Sequence, residues 1–398
     1  MTTFLTRRRL LQAAGGITLV AAGGAVWRAH DRGVFVEPSG APYDPWTLWN
    51  APEYEGTPIA LVAAGILAAN PHNTQPWIFR VGEDRIDILA DTSRDLGSFD
   101  PYLREMHIGL GCAIENMALA APANGYAVAV EPVEGSLLDI ERGGMVRAAT
   151  LRLSKENGAA DPLYNAIPHR HTNRYPYERE RGFPEDLLRS FVAMPAGDNV
   201  ALSLFTEGRE YEALGAAIVQ ATEEIVADHE MIEDSHAWFR DGPRDMARER
   251  SGLELDTAGL SPAILAAAKF LPALPAEQSH GAWLGQTRDI HVPTAALLGM
   301  ISVRDRYDRP QALAAGRLWQ RLHLDASAAG LAMHPLNQPV ETIDRERQLD
   351  KEAASEARLA NIVKNPGWHP TFCFRGGYPA REAIASARRS MEEVTEEA

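Results

Sequence analysis

Apolar residues along the chain repeat first at helical spacing, then in alternation, then at helical spacing again. From Thr57 to Ala69, residues Ile59, Leu61, Val62, Ile66 and Leu67 mark one face of a helix. Trp77 to Val81 and Arg85 to Leu89 read as a strand pair around Gly82-Glu83-Asp84. Tyr102 to Ala123 is a long apolar helix stopped by Gly125, and Tyr126 to Val130 and Val146 to Leu153 are further strands. A second series follows. It comprises a short helix from Asp161 to Ile167, a helix from Pro184 to Met194, a strand from Val200 to Phe205 and a helix over 208–230. Residues 232–290 read as irregular helices, Ala295 to Val303 as a strand, Pro310 to Ala329 as a long helix, and Thr371 to Phe374 as a late strand. Residues 28–56, rich in Pro, Gly, Trp and Tyr, have little periodicity and read as an irregular arm. The long helix 102–123 with Gly125-Tyr126 has an echo in the helix 310–329 with Gly330-Leu331, and each is followed by a segment containing Pro and Glu.

The amino terminus has a different layout. Thr6-Arg7-Arg8-Arg9-Leu10-Leu11-Gln12 precedes an apolar run from Ile17 to Trp27 with small residues Gly23-Gly24-Ala25, the pattern of an export signal. The consecutive arginines followed by Leu-Leu-Gln resemble a twin-arginine signal. A membrane anchor or a general secretory signal would share the layout. The expectation is a leader over 1–27, either cleaved or kept as an anchor, and a protein exported to the periplasm or cell envelope.

Bulk composition narrows the class. Hydrophobic residues make up 45% and charged residues 23% of the 398, enough to bury a substantial core. A net charge of −15 sets nucleic acid aside as a partner. Cys112 and Cys373 lie far apart in apolar segments and read as buried thiols. Gly109-Leu110-Gly111 sits inside a helical pattern with no third glycine, so it is no dinucleotide fingerprint, and phosphate-loop, zinc-protease and serine-hydrolase signatures do not occur.

Two segments carry the candidate chemistry. Asn70-Pro71-His72-Asn73-Thr74-Gln75-Pro76-Trp77 ends a helix and enters a strand. Its amides can donate and accept together, and its prolines stiffen the turn, which suits the edge of a planar polar ring. A capped helix end followed by an ordinary turn would use the same residue types. Arg170-His171-Thr172-Asn173-Arg174 offers two guanidinia and a hydroxyl for a phosphate. A basic surface turn before Pro176 is the plain alternative. His169 and His171 share a strand face but have no apparent third metal ligand.

Together these motifs resemble the nitroreductase superfamily of FMN enzymes. The resemblance runs from about residue 57 to the carboxyl terminus and is similar to the Acg-type branch, in which two units are fused in one chain. It implies an α+β fold of two degenerate units, 57–160 and 161–398, each an antiparallel-rich sheet flanked by helices. It implies FMN held by Asn70, Pro71, Asn73 and Gln75 at the ring, and by Arg170, His171, Thr172 and Arg174 at the phosphate and ribityl chain. Asn337 and Gln338 would lie over the reactive edge, and Arg388 and Arg389 near the phosphate. The family often has serines where Pro71-His72 stands. The first unit lacks the arginine cluster and the second lacks the Asn-x-Gln-Pro-Trp turn, so one FMN per chain is expected. The implied activity is electron transfer, from NAD(P)H or another donor, to a nitroaromatic, quinone or similar small-molecule acceptor. No side chain is required as a general acid or base. The rival is a flavin-sequestering protein whose own chain covers the cofactor, and the length of 232–290 suits such a cover.

Overall fold

The computed structural model describes residues 24–156, 158–194, 197–363 and 365–397. The basic stretch at 6–12 and most of the apolar run that follows lie outside them. No described helix is long and apolar enough to cross a membrane.

The first half runs α1 (Pro58–Gly65), β1 (Trp77–Val81), β2 (Arg85–Asp91), α2 (Arg104–Ala123), β3 (Tyr126–Pro132), β4 (Met145–Lys155). The second runs α3 (Glu185–Ala193), β5 (Val200–Phe205), α4 (Gly208–Val226), α5 (His229–His236), α6 (Pro243–Glu249), α7 (Pro262–Phe270), α8 (Ala276–Gln286), β6 (Leu297–Val303), α9 (Arg309–Ala328), β7 (Ala332–Pro335), α10 (Gln338–Gln348), α11 (Ala354–Val363), β8 (His369–Gly377). One more strand, β9 (Thr395–Glu397), closes the chain. The fold is α+β, as the sequence implies.

The two halves share one topology. The sheets are ordered β3-β4-β2-β1 and β7-β8-β6-β5, and every pairing within those eight strands is antiparallel. A register shift recurs at matching places, after Ile88 on β2 and after Ile301 on β6. The second half differs by two helical insertions, α4–α8 between β5 and β6 and α10–α11 between β7 and β8. β9 leaves the second half and pairs parallel with β1, Phe79 opposite Thr395.

The halves meet where α2 crosses α9. A methyl group added at Gly111 would collide with the Leu313 carbonyl, and one at Gly316 with the Ile108 carbonyl. The two clashes correspond, each with the carbonyl three residues before the opposing glycine. Glycine is needed at both positions because main chain lies against main chain. Polar groups flank the crossing. Cys112 Sγ donates to Gly316 O at 3.2 Å, Gln320 Nε2 donates to Asn116 Oδ1 at 2.8 Å, and buried Glu115 accepts from Arg317 and Arg321. Gln320 and Asn116 also hold the end of α1, through Ala69 N and Ala64 O. One apolar core spans both halves, from Trp77 and Leu110 to Trp319 and Phe374. Both cysteines are buried, as the apolar segments around them imply.

Several elements differ from the sequence reading. The expected helix over 161–167 is a 3-10 segment, Tyr164–His169, with Pro168 inside it. The helix over 208–230 breaks at Asp228, whose carboxylate caps α5. β7, β9, α10 and α11 were not anticipated.

Replacing Gly316 with Ala forces backbone apart and should cost about 1–3 kcal/mol. Calorimetry should show a fall in Tm of about 1–4 °C, and an unchanged or raised Tm would contradict the close crossing.

Candidate functional site

The segment after α1 is closed on itself and strained. Asn70 Oδ1 accepts from Gln75 N at 2.8 Å, and His72, Asn73 and Gln75 all take positive φ (46°, 54° and 50°). Left-handed residues other than glycine cost energy and persist where the surroundings fix them. Here they are fixed from three directions. Asn70 and Pro71 abut Gly109 of α2. Asn73 Nδ2 donates to Gly252 O and Ala387 O, and Gln75 Nε2 donates to Arg250 O. Gln75 Oε1 accepts from Arg389 N at 2.8 Å. The side-chain amides of Asn73 and Gln75 are thus engaged with the protein.

Beside this turn lie two buried guanidinia. Arg170 Nη2 donates to Leu67 O at 3.1 Å, and Arg388 Nη2 reaches the same carbonyl and that of Ala68. These carbonyls follow α1, where the negative end of a helix favours cations. Arg388 Nη1 also donates to Asn73 Oδ1 at 2.9 Å. Arg170 is 2% exposed and so is Arg388. Among the described residues neither makes an ion pair. Arg170 Nε and Nη1 and Arg388 Nε are buried without hydrogen-bond partners. Burial pushes Arg170 down to about 10, and burial together with the Arg170 charge holds Arg388 well below its ordinary value. Two adjacent cations with unspent donors have the charge and donors to hold an anion. The His171 ring is held near 3 by burial, Arg170 and Arg388, so it is neutral. His323 of α9 donates from Nε2 to His171 O at 3.3 Å and leaves Nδ1 unpartnered.

The other sequence candidates distribute around this centre. Thr172 is partly buried and its hydroxyl makes no hydrogen bond to the described residues. Arg174 lies apart from Arg170, beside Arg375, and donates to Thr257 O at 3.1 Å, with burial lowering it to about 10. Arg389 donates to Gln75 O and Glu393 O. Asn337 bonds Glu105 through Nδ2 and accepts from Cys373 N through Oδ1. Gln338 is buried with Oε1 unpartnered. Glu105 is one helical turn from Gly109, so this pair and the Asn70–Pro71 turn share one face of α2. Arg375 is fully buried and spent on the carbonyls of Tyr175 and His291 and on His334 Nδ1.

The arm and the α4–α8 insertion pack over this region, a part that only the arm's tryptophans hinted at. Trp46 lies 4.6 Å from the Arg388 guanidinium and 4.5 Å edge-on from His171, and its Nε1 donates to Ser386 O. Arg388 N donates to Pro42 O. Tyr43 OH donates to Glu254 of the insertion at 2.8 Å, beside a cavity of about 140 Å³ lined by Arg32, Glu254, Asp256 and Lys269. The insertion grips the turn through Gly252 N to Asn73 O and, nearby, through Ser98 to Asp234 and Trp238 Nε1 to Asp95 O. Among the described residues no group of three or more His, Cys, Asp or Glu could hold a metal.

No family model matches the chain. It is 24% identical over 321 residues, 78% of this chain and 84% of the relative, to two Mycobacterium tuberculosis proteins provisionally named NAD(P)H nitroreductases, MT3217 of strain CDC 1551 and Rv3131 of strain H37Rv. Among solved structures, the FMN-dependent nitroreductase NfnB of Mycobacterium smegmatis in complex with NADPH overlaps 59% of this chain and 96% of its own, at 14% identity and a TM-score of 0.38. A nitroreductase with bound FMN from Bacteroides fragilis overlaps 58% and 95%, at 15% identity and a TM-score of 0.33. Overlap at this level fixes neither fold nor function.

The tie between arm and insertion is pH-sensitive. Burial raises Glu254 to about 7, partly offset by Tyr43. A carboxyl raised on folding favours the folded state below its unfolded value and loses that contribution as pH climbs through about 7. Glu254→Gln should therefore gain stability relative to wild type at pH 8 but not at pH 4, by on the order of 3 kcal/mol between the two. Equal Tm differences at both pH values would refute this.

Proposed function

We propose that this chain is an FMN-dependent oxidoreductase of nitroreductase type, built as a fused pseudo-dimer with one flavin site. The observation that carries it is the pair Arg170 and Arg388, buried side by side with three donor nitrogens unspent. A phosphate monoester carries nearly two negative charges and several acceptor oxygens. It matches both the charge and the donors of this pair. His171 and Thr172 stand beside the phosphate position, and the Asn70–Gln75 turn supplies a rigid wall for the ring. With the Asn70, Asn73 and Gln75 amides all engaged with the protein, main-chain groups are the available contacts there. Bound there, FMN would supply two-electron transfer between a reduced nicotinamide and an acceptor. The chain's own contribution is to hold the phosphate, fix the ring edge, and exclude water through the arm and insertion. The provisional names of the two mycobacterial relatives point the same way. Nitroaromatics and quinones are the acceptor classes we assign.

The matching strand orders support a fused pair of units with a seam near residue 160. Only the first half has the Asn-x-Gln-Pro-Trp turn and only the second has the Arg-His-Thr-x-Arg cluster, so one site is assembled per chain. A second reading, flavin held without turnover, is favoured by the same closure over the turn. Bleaching of bound flavin by anaerobic NADPH separates the two.

Arg170→Ala and Arg388→Ala should each weaken FMN binding at least about a hundredfold, because each leaves phosphate charge buried and unpaired. Fluorescence titration of apoprotein measures this, and circular dichroism shows whether the fold survives. Wild-type affinity in both variants, or two FMN extracted per chain, would defeat the assignment.

We also infer export by the twin-arginine route, on the strength of Arg7-Arg8 and the apolar run after them. Replacing both arginines with lysine should leave the protein in the cytoplasmic fraction. Unchanged periplasmic delivery would overturn this.

A further inference from the structure

The large apolar side chains left exposed are gathered at one part of the molecule. Among the described residues there are thirteen, and seven fall in two short stretches. Val26, Trp27, Phe35 and Val36 lie where the leader meets the arm, and Ile264, Leu271 and Leu274 lie on α7 and just after it. Direct bonds hold the two stretches together. Arg28 Nε donates to Phe270 O at 2.6 Å, Arg32 Nε to Lys269 O at 3.3 Å, and Lys269 Nζ to Gly33 O at 2.9 Å. Between Asp256 and Glu277 the one charged residue is Lys269. It is 7% exposed and lies 2.6 Å from Asp256, so its charge is spent inside. Residues 261–275 therefore turn apolar side chains and prolines to solvent with no charge among them. α7 has nine residues and Pro272 follows it, so the segment is far too short to cross a bilayer. Gathered apolar surface of this kind on a protein is a surface that something covers.

The chain that arrives at this face indicates what covers it. From Leu10 to Trp27, eighteen positions carry no charge, a length that suits the hydrocarbon of a bilayer. Arg7, Arg8 and Arg9 precede that run, which favours its start on the cytoplasmic side and residue 28 onward on the outer side. Residues 24–31 are helical, with Val26 and Trp27 exposed beside the Arg28–Phe270 bond. Trp27 stands between the apolar run and Arg28, the order of residues found at a membrane surface. A chain leaving lipid at Trp27 brings α7 to the headgroups at once. Charge does not drive the contact. α6 adjoins Gly33 through Pro243, and its Arg244 and Arg248 are paired with Asp31 and Asp245.

We propose that residues 26–36 and 261–275 form a face that seats in the headgroup layer of a lipid bilayer, beside the point where the leader enters it. The attraction is burial of apolar area, so a zwitterionic lipid suffices. The face belongs to the arm and to the α4–α8 insertion, the elements packed over the candidate turn. That cover, rather than either sheet, meets the lipid. The inference goes beyond the flavin reading and does not depend on it.

The test uses the full chain reconstituted in phosphatidylcholine vesicles, with a nitroxide label on Ile264→Cys or Leu271→Cys. Val192→Cys on α3 supplies the exposed reference. Cys112 and Cys373 are buried, which confines labelling to the introduced thiols. Spin relaxation should show collisions with oxygen favoured over those with a water-soluble nickel chelate severalfold more at 264 and 271 than at 192. Equal ratios at the three positions in vesicle-bound protein would overturn the proposal. Spin–spin broadening between copies at 264 and 271 would also overturn it, because a second copy would then cover the face. A protein that does not stay with the vesicles would overturn it as well.

Discussion

The crossing of two long helices at Gly111 and Gly316 sets the arrangement of everything else. Main chain against main chain allows one separation, and the clashes on either side of the contact correspond between the halves. The Asn116–Gln320 bond beside the crossing holds the end of α1. The Leu67 carbonyl, which follows that helix, accepts from both Arg170 and Arg388, and the Ala68 carbonyl from Arg388. Gly109, one half-turn from the crossing glycine, receives the Asn70–Pro71 turn. Scaffold and candidate site are therefore one construction, with parts from both halves meeting at a single place.

That place holds like charges together against their preference. Burying a cation is costly without a partner, and burying two beside each other more so. The carbonyls after α1, the Asn73 amide oxygen and the Trp46 ring offset part of that cost. The donors left over are matched by an anion with several oxygens. The three left-handed residues of the neighbouring turn add a second local cost. Both are borne by the surroundings, through residues 386–389, the arm and the insertion, all of which close on the same region from distant parts of the chain.

Much of this frame is legible in the sequence, and the reasons are particular. β1 and β5 fall where the alternation of Trp77–Val81 and Val200–Phe205 places them, because each packs one face on the core. α2 and α9 are long, apolar and ended by glycine or a turn, so their limits show. β7 is four residues long and β9 three, too short for a periodic pattern, and β9 is acidic. α10 is polar in sequence yet largely buried, because Arg104 and Asp344 form a buried ion pair that links α2 to it. The motif residues were visible as residue types, but their division of labour was not. Asn73, Gln75, Asn337 and Arg389 proved to be bound to protein groups, whereas Arg170 and Arg388 kept free donors. The arm offered only its tryptophans as a hint.

The absorbance spectrum of the purified protein, after incubation with FMN and removal of free flavin, tests the central claim most directly. An anion site made by Arg170 and Arg388 predicts retained flavin bands, shifted by burial, at one equivalent per chain. A colourless protein would mean that the paired guanidinia serve some other anion and that the two motifs no longer form a flavin site.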